Sequence, residues 1–235
     1  GAPYNNGNGN DAGHVRVYQY SSGSWTQVGQ DIDGEAASNN FGFRVRLSSD
    51  GTTVAISANR KHTINGNYSG QVRVYSILLP GSWTQVGQDI DGEAASDESG
   101  STLSLSSDGT ILAIGAPYND GNGDSSGHVR VYQWNGTDTW TQLGQDIDGE
   151  AEQDRSGRRR SISLSSDGTI VAIGATENDG TANNAGHVRV YQYANDTWTQ
   201  LGQDIDGEAE DDRSGWSTAL SSDGTTLAMG WLLYT

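Results

Sequence analysis

Cysteine is absent from this 235-residue chain and lysine nearly so: Lys61 stands alone among 13 basic residues, the other twelve being arginine. Without cysteine there is neither a disulfide framework nor a thiolate metal site. The few cations face 30 acidic side chains, for a formal net charge of -17. Binding of nucleic acid through a basic surface is thereby excluded, since phosphate contacts need concentrated positive charge. Long apolar runs are also missing. A stretch such as 77–80 is far too short to insert into a membrane, which takes about 20 residues. The opening Gly1-Ala2-Pro3-Tyr4 carries no leader pattern. Sequons at Asn67, Asn135 and Asn195 would accept glycans only in a eukaryotic secretory pathway.

What the chain has in plenty is repetition. The string Trp-Thr-Gln-(Val/Leu)-Gly-Gln-Asp-Ile-Asp-Gly-Glu-Ala starts at Trp25, Trp83, Trp140 and Trp198. Leu-Ser-Ser-Asp-Gly-Thr starts at Leu47, Leu105 and Leu164, with a fourth copy at Leu220, and (His/Gln)-Val-Arg-Val-Tyr at His14, Gln71, His128 and His187. Each unit holds four short β signals and no helical one. In one unit they are strand A at 43–47, B at 53–56, C at 71–75 and D at 83–90. Asp50-Gly51 between A and B is a hairpin signal. Four antiparallel strands at a period of about 58 residues predict an all-β fold, a β-propeller of four-stranded blades.

The phase of the repeat divides the one domain, 1–235. Strands C and D of a split blade fall at 1–41, whole blades at 42–98, 99–155 and 156–213, and strands A and B of the split blade at 214–235. Pairing of the two halves would close a four-blade ring and remove two exposed sheet edges. A homodimer, or ring completion by a second chain, is the other way to cover them. The last residues, 230–235, depart from the Gly-Ala-Pro-Tyr-Asn expected there.

Phe41-Gly42, then Ile114-Gly115-Ala116-Pro117 and Gly127-His128-Val129-Arg130-Val131-Tyr132, resemble the FG-GAP repeat of integrin α-subunit propellers and their bacterial and algal relatives. Phe-Gly becomes Ser-Gly at Ser99, Ser156 and Ser214. The resemblance implies a propeller acting outside the cell or on its surface, in adhesion or binding, with a protein or carbohydrate partner. The family often carries an Asp-rich calcium loop between strands A and B. Here that place reads Ser49-Asp50-Gly51-Thr52, a tight turn with one carboxylate, so that site is not carried over.

Strand alternation puts the D–A and B–C segments on one face. All acids except Asp50, Asp108, Asp138, Asp167, Asp196 and Asp223 fall there, 24 of the 30. Calcium is the cofactor this chemistry would suit. Candidate ligands are Asp31, Asp33 and Glu35 at alternating positions, and Asp120, Asn122 and Asp124 in a calcium-loop spacing, with Asp97, Asp154 and Asp212 as additional donors. Plain turn chemistry accounts for both loops equally simply and is preferred. Arg60-Lys61-His62 replaces the second loop in one unit and would repel a cation. His14, His128 and His187 read as caps of the sheet, Arg158-Arg159-Arg160 as local ion pairs, and the four repeated tryptophans as blade packing. Trp134, Trp216 and Trp231 are irregular and suit stacking on sugars. No serine lies in a nucleophile elbow, and the repeat symmetry argues against an enzyme. A non-enzymatic binding or adhesion module is expected, with a structural repeat of a larger surface protein as the alternative and a glycan-active enzyme or lectin behind it.

Overall fold

A computed structural model describes residues 1–78 and 81–231, so positions 232–235 of the divergent tail lie outside the described residues. Among the described residues all regular structure is β-strand. At the start, β1 (His14–Val15) pairs with β4 (Ile32–Asp33), and β2 (Tyr18–Ser21) with β3 (Ser24–Gln27). A first blade follows, in the order β5 (Val45–Leu47), β6 (Thr53–Ala58), β7 (Gln71–Leu78), β8 (Ser82–Gln85), with β9 (Ile90–Asp91) also on β7. The second blade repeats this with β10 (Thr102–Leu105), β11 (Ile111–Ala116), β12 (His128–Trp134), β13 (Trp140–Gln142) and β14 (Ile147–Asp148). The third does so with β15 (Ile162–Leu164), β16 (Ile170–Ala175), β17 (His187–Ala194), β18 (Thr197–Gln200) and β19 (Ile205–Asp206). The chain then forms β20 (Ser217–Leu220) and β21 (Leu227–Gly230), which pair with each other.

The alternation read from the sequence fills the space between blades. Val54, Ile56, Val72, Val74, Leu112, Ile114, Val129 and Val131 are all nearly inaccessible to solvent. The A–B turns are built as expected, with Gly51 at φ +75 and Ser48 Oγ donating to Asp50 Oδ1 at 2.6 Å. Successive turns are stitched together by Ser49 N donating to Ser107 O (2.8 Å), Ser107 N to Ser166 O (2.9 Å) and Ser166 N to Ser222 O (2.8 Å).

Strand D departs from the reading. It is not one strand over 83–90 but two pieces, β8 and β9, both bonded to β7. Gly87, at φ +78, turns the backbone out between them. The arch has a purpose in packing, because it carries Gln88 to the next blade. There Gln88 Nε2 donates to Trp140 O (2.7 Å), Trp140 N donates to Gln88 Oε1 (3.0 Å), and Trp140 Nε1 donates to Val86 O (3.0 Å). The same clamp joins Gln30 and Val28 to Trp83, and Gln145 and Leu143 to Trp198.

Among the described residues the two terminal halves do not pair into the joined blade expected. Among the described residues β2 pairs only with β3, and β21 only with β20. Each half takes its burial from the blade beside it: Val15 and Ile32 pack with Val54, Ile56 and Trp83, and β20 lies against β15 and β16. Open sides remain on the first half, with Trp25 68% exposed, and on the third blade, with Leu201 41% exposed.

Candidate functional site

The loop face is assembled as the alternation predicts. D–A and B–C loops are hydrogen-bonded to each other, as in Ser96 N to Asn67 O (2.8 Å), Glu98 N to Tyr68 O (3.0 Å) and Gln153 N to Asp124 O (2.8 Å). The D–A loops place two non-glycine residues each in the left-handed region: Ser38 and Asn40, Ser96 and Glu98, Gln153 and Arg155, Asp211 and Arg213. Such conformations are costly and persist only where the surroundings impose them.

Of the proposed calcium ligands, Asp31 and Asp33 come together beside His14, the three ligand atoms lying within 4.8 Å of one another, whereas the others are engaged elsewhere. Asp120 Oδ1 accepts from Ser125 N (2.8 Å), Asn122 Nδ2 donates to Gly149 O (2.8 Å), and Asp124 Oδ2 accepts from Gln153 Nε2 (2.9 Å). Asp120 thus serves its own loop, while Asn122 and Asp124 tie that loop to the adjacent D–A loop. Asp31 is held by Arg16 at 2.7 Å, which lowers its carboxyl to about 2. Asp33 lies opposite His14 in the β1–β4 ladder. Glu35 turns away to the following blade, where it meets Lys61 Nζ (2.7 Å) and Arg73 Nη2 (2.6 Å). Asp97 and Asp154 are buried and cap loop amides, Asp97 Oδ2 accepting from Ala94 N (3.0 Å) and Asp154 Oδ2 from Ala151 N (3.0 Å).

The structure gathers instead a set that sequence spacing did not reveal. His128 is 1% exposed, and its Nδ1 faces Glu93 Oε2 at 3.8 Å and Asp146 Oδ2 at 3.7 Å. His187, equally buried, faces Glu150 Oε2 at 3.8 Å and Asp204 Oδ2 at 3.7 Å. In each set the three ligand atoms lie within 4.8 Å of one another. The glutamate comes from the preceding unit, so each set straddles a blade junction. Arginine holds the glutamate's other oxygen: Arg130 Nη1 is 3.1 Å from Glu93 Oε1, and Arg189 Nη1 is 3.3 Å from Glu150 Oε1. Burial, aided by Arg130, pushes the His128 imidazole down to about 4, so the ring is neutral at ordinary pH. Burial raises the Glu93 carboxyl, and Asp146 adds repulsion.

A second feature breaks the repeat symmetry. A cavity of about 190 Å³ opens beside the D–A and B–C loops, lined by Phe43, Arg44, Glu98, Tyr118, Arg158 and Arg159 among others. The Arg44 guanidinium reaches across to Arg159 O (3.3 and 3.2 Å), which belongs to a blade two units on. Arg158 pairs with Glu177 and donates to Tyr118 Oη at 3.3 Å. Arg159 stacks on Trp216, 3.4 Å from the ring centroid, so that tryptophan is covered; Trp134 packs on Trp140, and Trp231 stays 54% exposed. Among the described residues no carboxylate comes within ion-pair reach of Arg44, Arg46 or Arg160. Burial disfavours the charge on Arg44 and Arg46, and Arg160 adds repulsion to both. A guanidinium does not lose its proton in a protein, so the imbalance is expressed as positive potential that an anion would relieve.

No protein-family profile matches the chain, and no curated protein matches it. Among solved structures it is similar to a provisionally named 6-phosphogluconolactonase from Bacteroides uniformis, with a TM-score of 0.56 at 15% identity over 84% of this chain and 50% of that one. TolB from Acinetobacter baumannii aligns over 88% of this chain and 41% of its own, at 12% identity and a TM-score of 0.43. The chain therefore spans about half the length of the first of these structures. At such identities the first likeness carries the fold alone, and with the blades above it identifies an all-β propeller.

Proposed function

We propose that this chain is a non-enzymatic binding propeller of the FG-GAP-like type, acting outside the cell or on its surface, that takes a protein or glycan ligand on its acidic loop face. The observation that carries the reading is the arginine-lined cavity on that face. It is the place where the repeat yields unique residues, and unpaired guanidinium groups are suited to a carboxylate or sulfate held in a fork. The surrounding carboxylates give the face a negative rim that selects against ligands of high overall negative charge. A glycosidase needs two acids flanking one bond. Glu98 is the one carboxylate lining the cavity, and it accepts from Asn59 Nδ2 at 3.1 Å. That supports binding over catalysis.

The test is a panel of carboxylated and sulfated glycans and cell-surface proteins, read by surface binding kinetics. Saturable binding is expected to at least one member, weakened about tenfold or more in the Arg44→Ala/Arg159→Ala variant, the loss that goes with one charge-assisted pair. Failure of every member, or equal binding by a folded variant, would overturn the proposal. A second reading, that the chain is an assembly repeat of a larger surface protein, is favoured by the open outer sides at Trp25 and Leu201.

A further inference from the structure

The three blades differ at one junction in a way that explains the buried histidines. Where two blades have His128 and His187, the first has Gln71. Where those two have Asn119 and Asn178 at the start of the B–C loop, the first has Lys61, the chain's single lysine. The two differences act together. Lys61 Nζ sits between Glu35 Oε2 (2.7 Å) and Gln71 Oε1 (2.8 Å), and Gln71 Nε2 donates to Asp89 Oδ2 (2.9 Å) and Asp91 Oδ1 (2.7 Å). Glu35 and Asp89 are the counterparts of Glu93 and Asp146, and of Glu150 and Asp204. One junction thus links the two acids through a fixed ammonium and the Gln71 amide. The other two place there an imidazole that makes no hydrogen bond to either acid.

We propose that the clusters Glu93–His128–Asp146 and Glu150–His187–Asp204 are two binding sites for a divalent transition cation of the zinc class. One nitrogen and two carboxylate oxygens form a borderline donor set, which favours zinc, cobalt or nickel over calcium and magnesium. Bonds of about 2.0–2.2 Å in a tetrahedral site separate ligand atoms by roughly 3.4 Å. The observed nitrogen–oxygen separations of 3.7 and 3.8 Å exceed that by a few tenths of an ångström, and the two carboxylate oxygens lie within 4.8 Å of each other. His187 is 1% exposed, and neither ring nitrogen has a hydrogen-bond partner. A buried imidazole in that state is costly, and its Nδ1 is aimed at both acids. An imidazolium ion pair is the competing account, but the separations of 3.8 and 3.7 Å from the two acids exceed hydrogen-bond length. Arg130 and Arg189 hold the second glutamate oxygens and so orient the ligands from outside. The cation would do at two junctions what Lys61 does at the first, tying a D–A loop to the next blade. The His14 group also brings three ligand atoms within 4.8 Å, but there Arg16 holds both oxygens of Asp31.

The experiment uses the whole chain, stripped with chelator and titrated with cobalt(II) chloride while the visible ligand-field bands are followed, then with zinc chloride to displace it. Saturation is expected at two equivalents per chain. His128→Gln and His187→Gln should each remove one equivalent, and the double variant both. Gln71 shows that glutamine is tolerated at this register position, and thermal melting of each variant verifies the fold. Bands that do not saturate, or cobalt binding that survives in the folded double variant, would overturn the proposal.

Discussion

Tryptophan shows how one residue type divides by position within the repeat. Trp83, Trp140 and Trp198 are 3–4% exposed, each fixed by a glutamine and a carbonyl of the blade before it, whereas Trp25 has no such clamp and stays 68% exposed. Removing a buried aromatic side chain loses both transfer free energy and packing, about 3–5 kcal/mol. Trp140→Ala is therefore expected to destabilise the protein by that amount in urea unfolding. Trp25→Ala should change stability by less than about 0.5 kcal/mol, as surface substitutions do. The packing role of these tryptophans is legible from their period. The role of His128 is not, because its partner Glu93 belongs to the preceding unit and enters only when blades are stacked. Asp120, Asn122 and Asp124 mislead in the opposite way. Their ligand-like spacing is equally the spacing of side chains that cap their own loop, as Asp120 does, or tie it to the neighbouring one, as Asn122 and Asp124 do.

Among the elements, the A–B hairpin was readable in full and strand D only in part. Asp-Gly forces a turn whatever surrounds it, so the hairpin follows from local chemistry. The arch at Gly87 has no such signature until Gln88 is seen to reach Trp140, and a glycine between Val86 and Gln88 reads equally well as strand. The turn aspartates also make a prediction. Asp50, Asp108, Asp167 and Asp223 each accept from a serine hydroxyl and from the amide two residues on, which holds their carboxyls below the ordinary value, Asp223 at about 2. With the folded value lowered from 3.8, the unfolded chain takes up protons first as the pH falls. The stability these groups lend is complete above about pH 4 and is lost toward pH 2. Replacing all four by asparagine, which keeps an acceptor oxygen but does not titrate, should flatten the fall in melting temperature over that window. An unchanged slope would mean that the acid sensitivity arises elsewhere.

At the scale of the molecule, the repeat explains both the face and the edges. Alternation places 24 acids on one side, and three whole blades lie between half units that do not pair with each other among the described residues. The fold class and the acidic face were open to sequence reasoning because both depend on period alone. The arginine-lined cavity was not, since it needs Arg44 and Arg159 brought together from units two apart. The most direct test of the account is amide hydrogen exchange on the chain bound to a ligand retained in the glycan and surface-protein panel. The account predicts slowed exchange at 41–44, 98–101, 117–118 and 157–159, where the loops frame the cavity. Protection confined to the A–B turns at 49–52 and 107–110, or to the open sides at 18–27 and 201–205, would contradict it, and the second pattern would make the chain an assembly repeat.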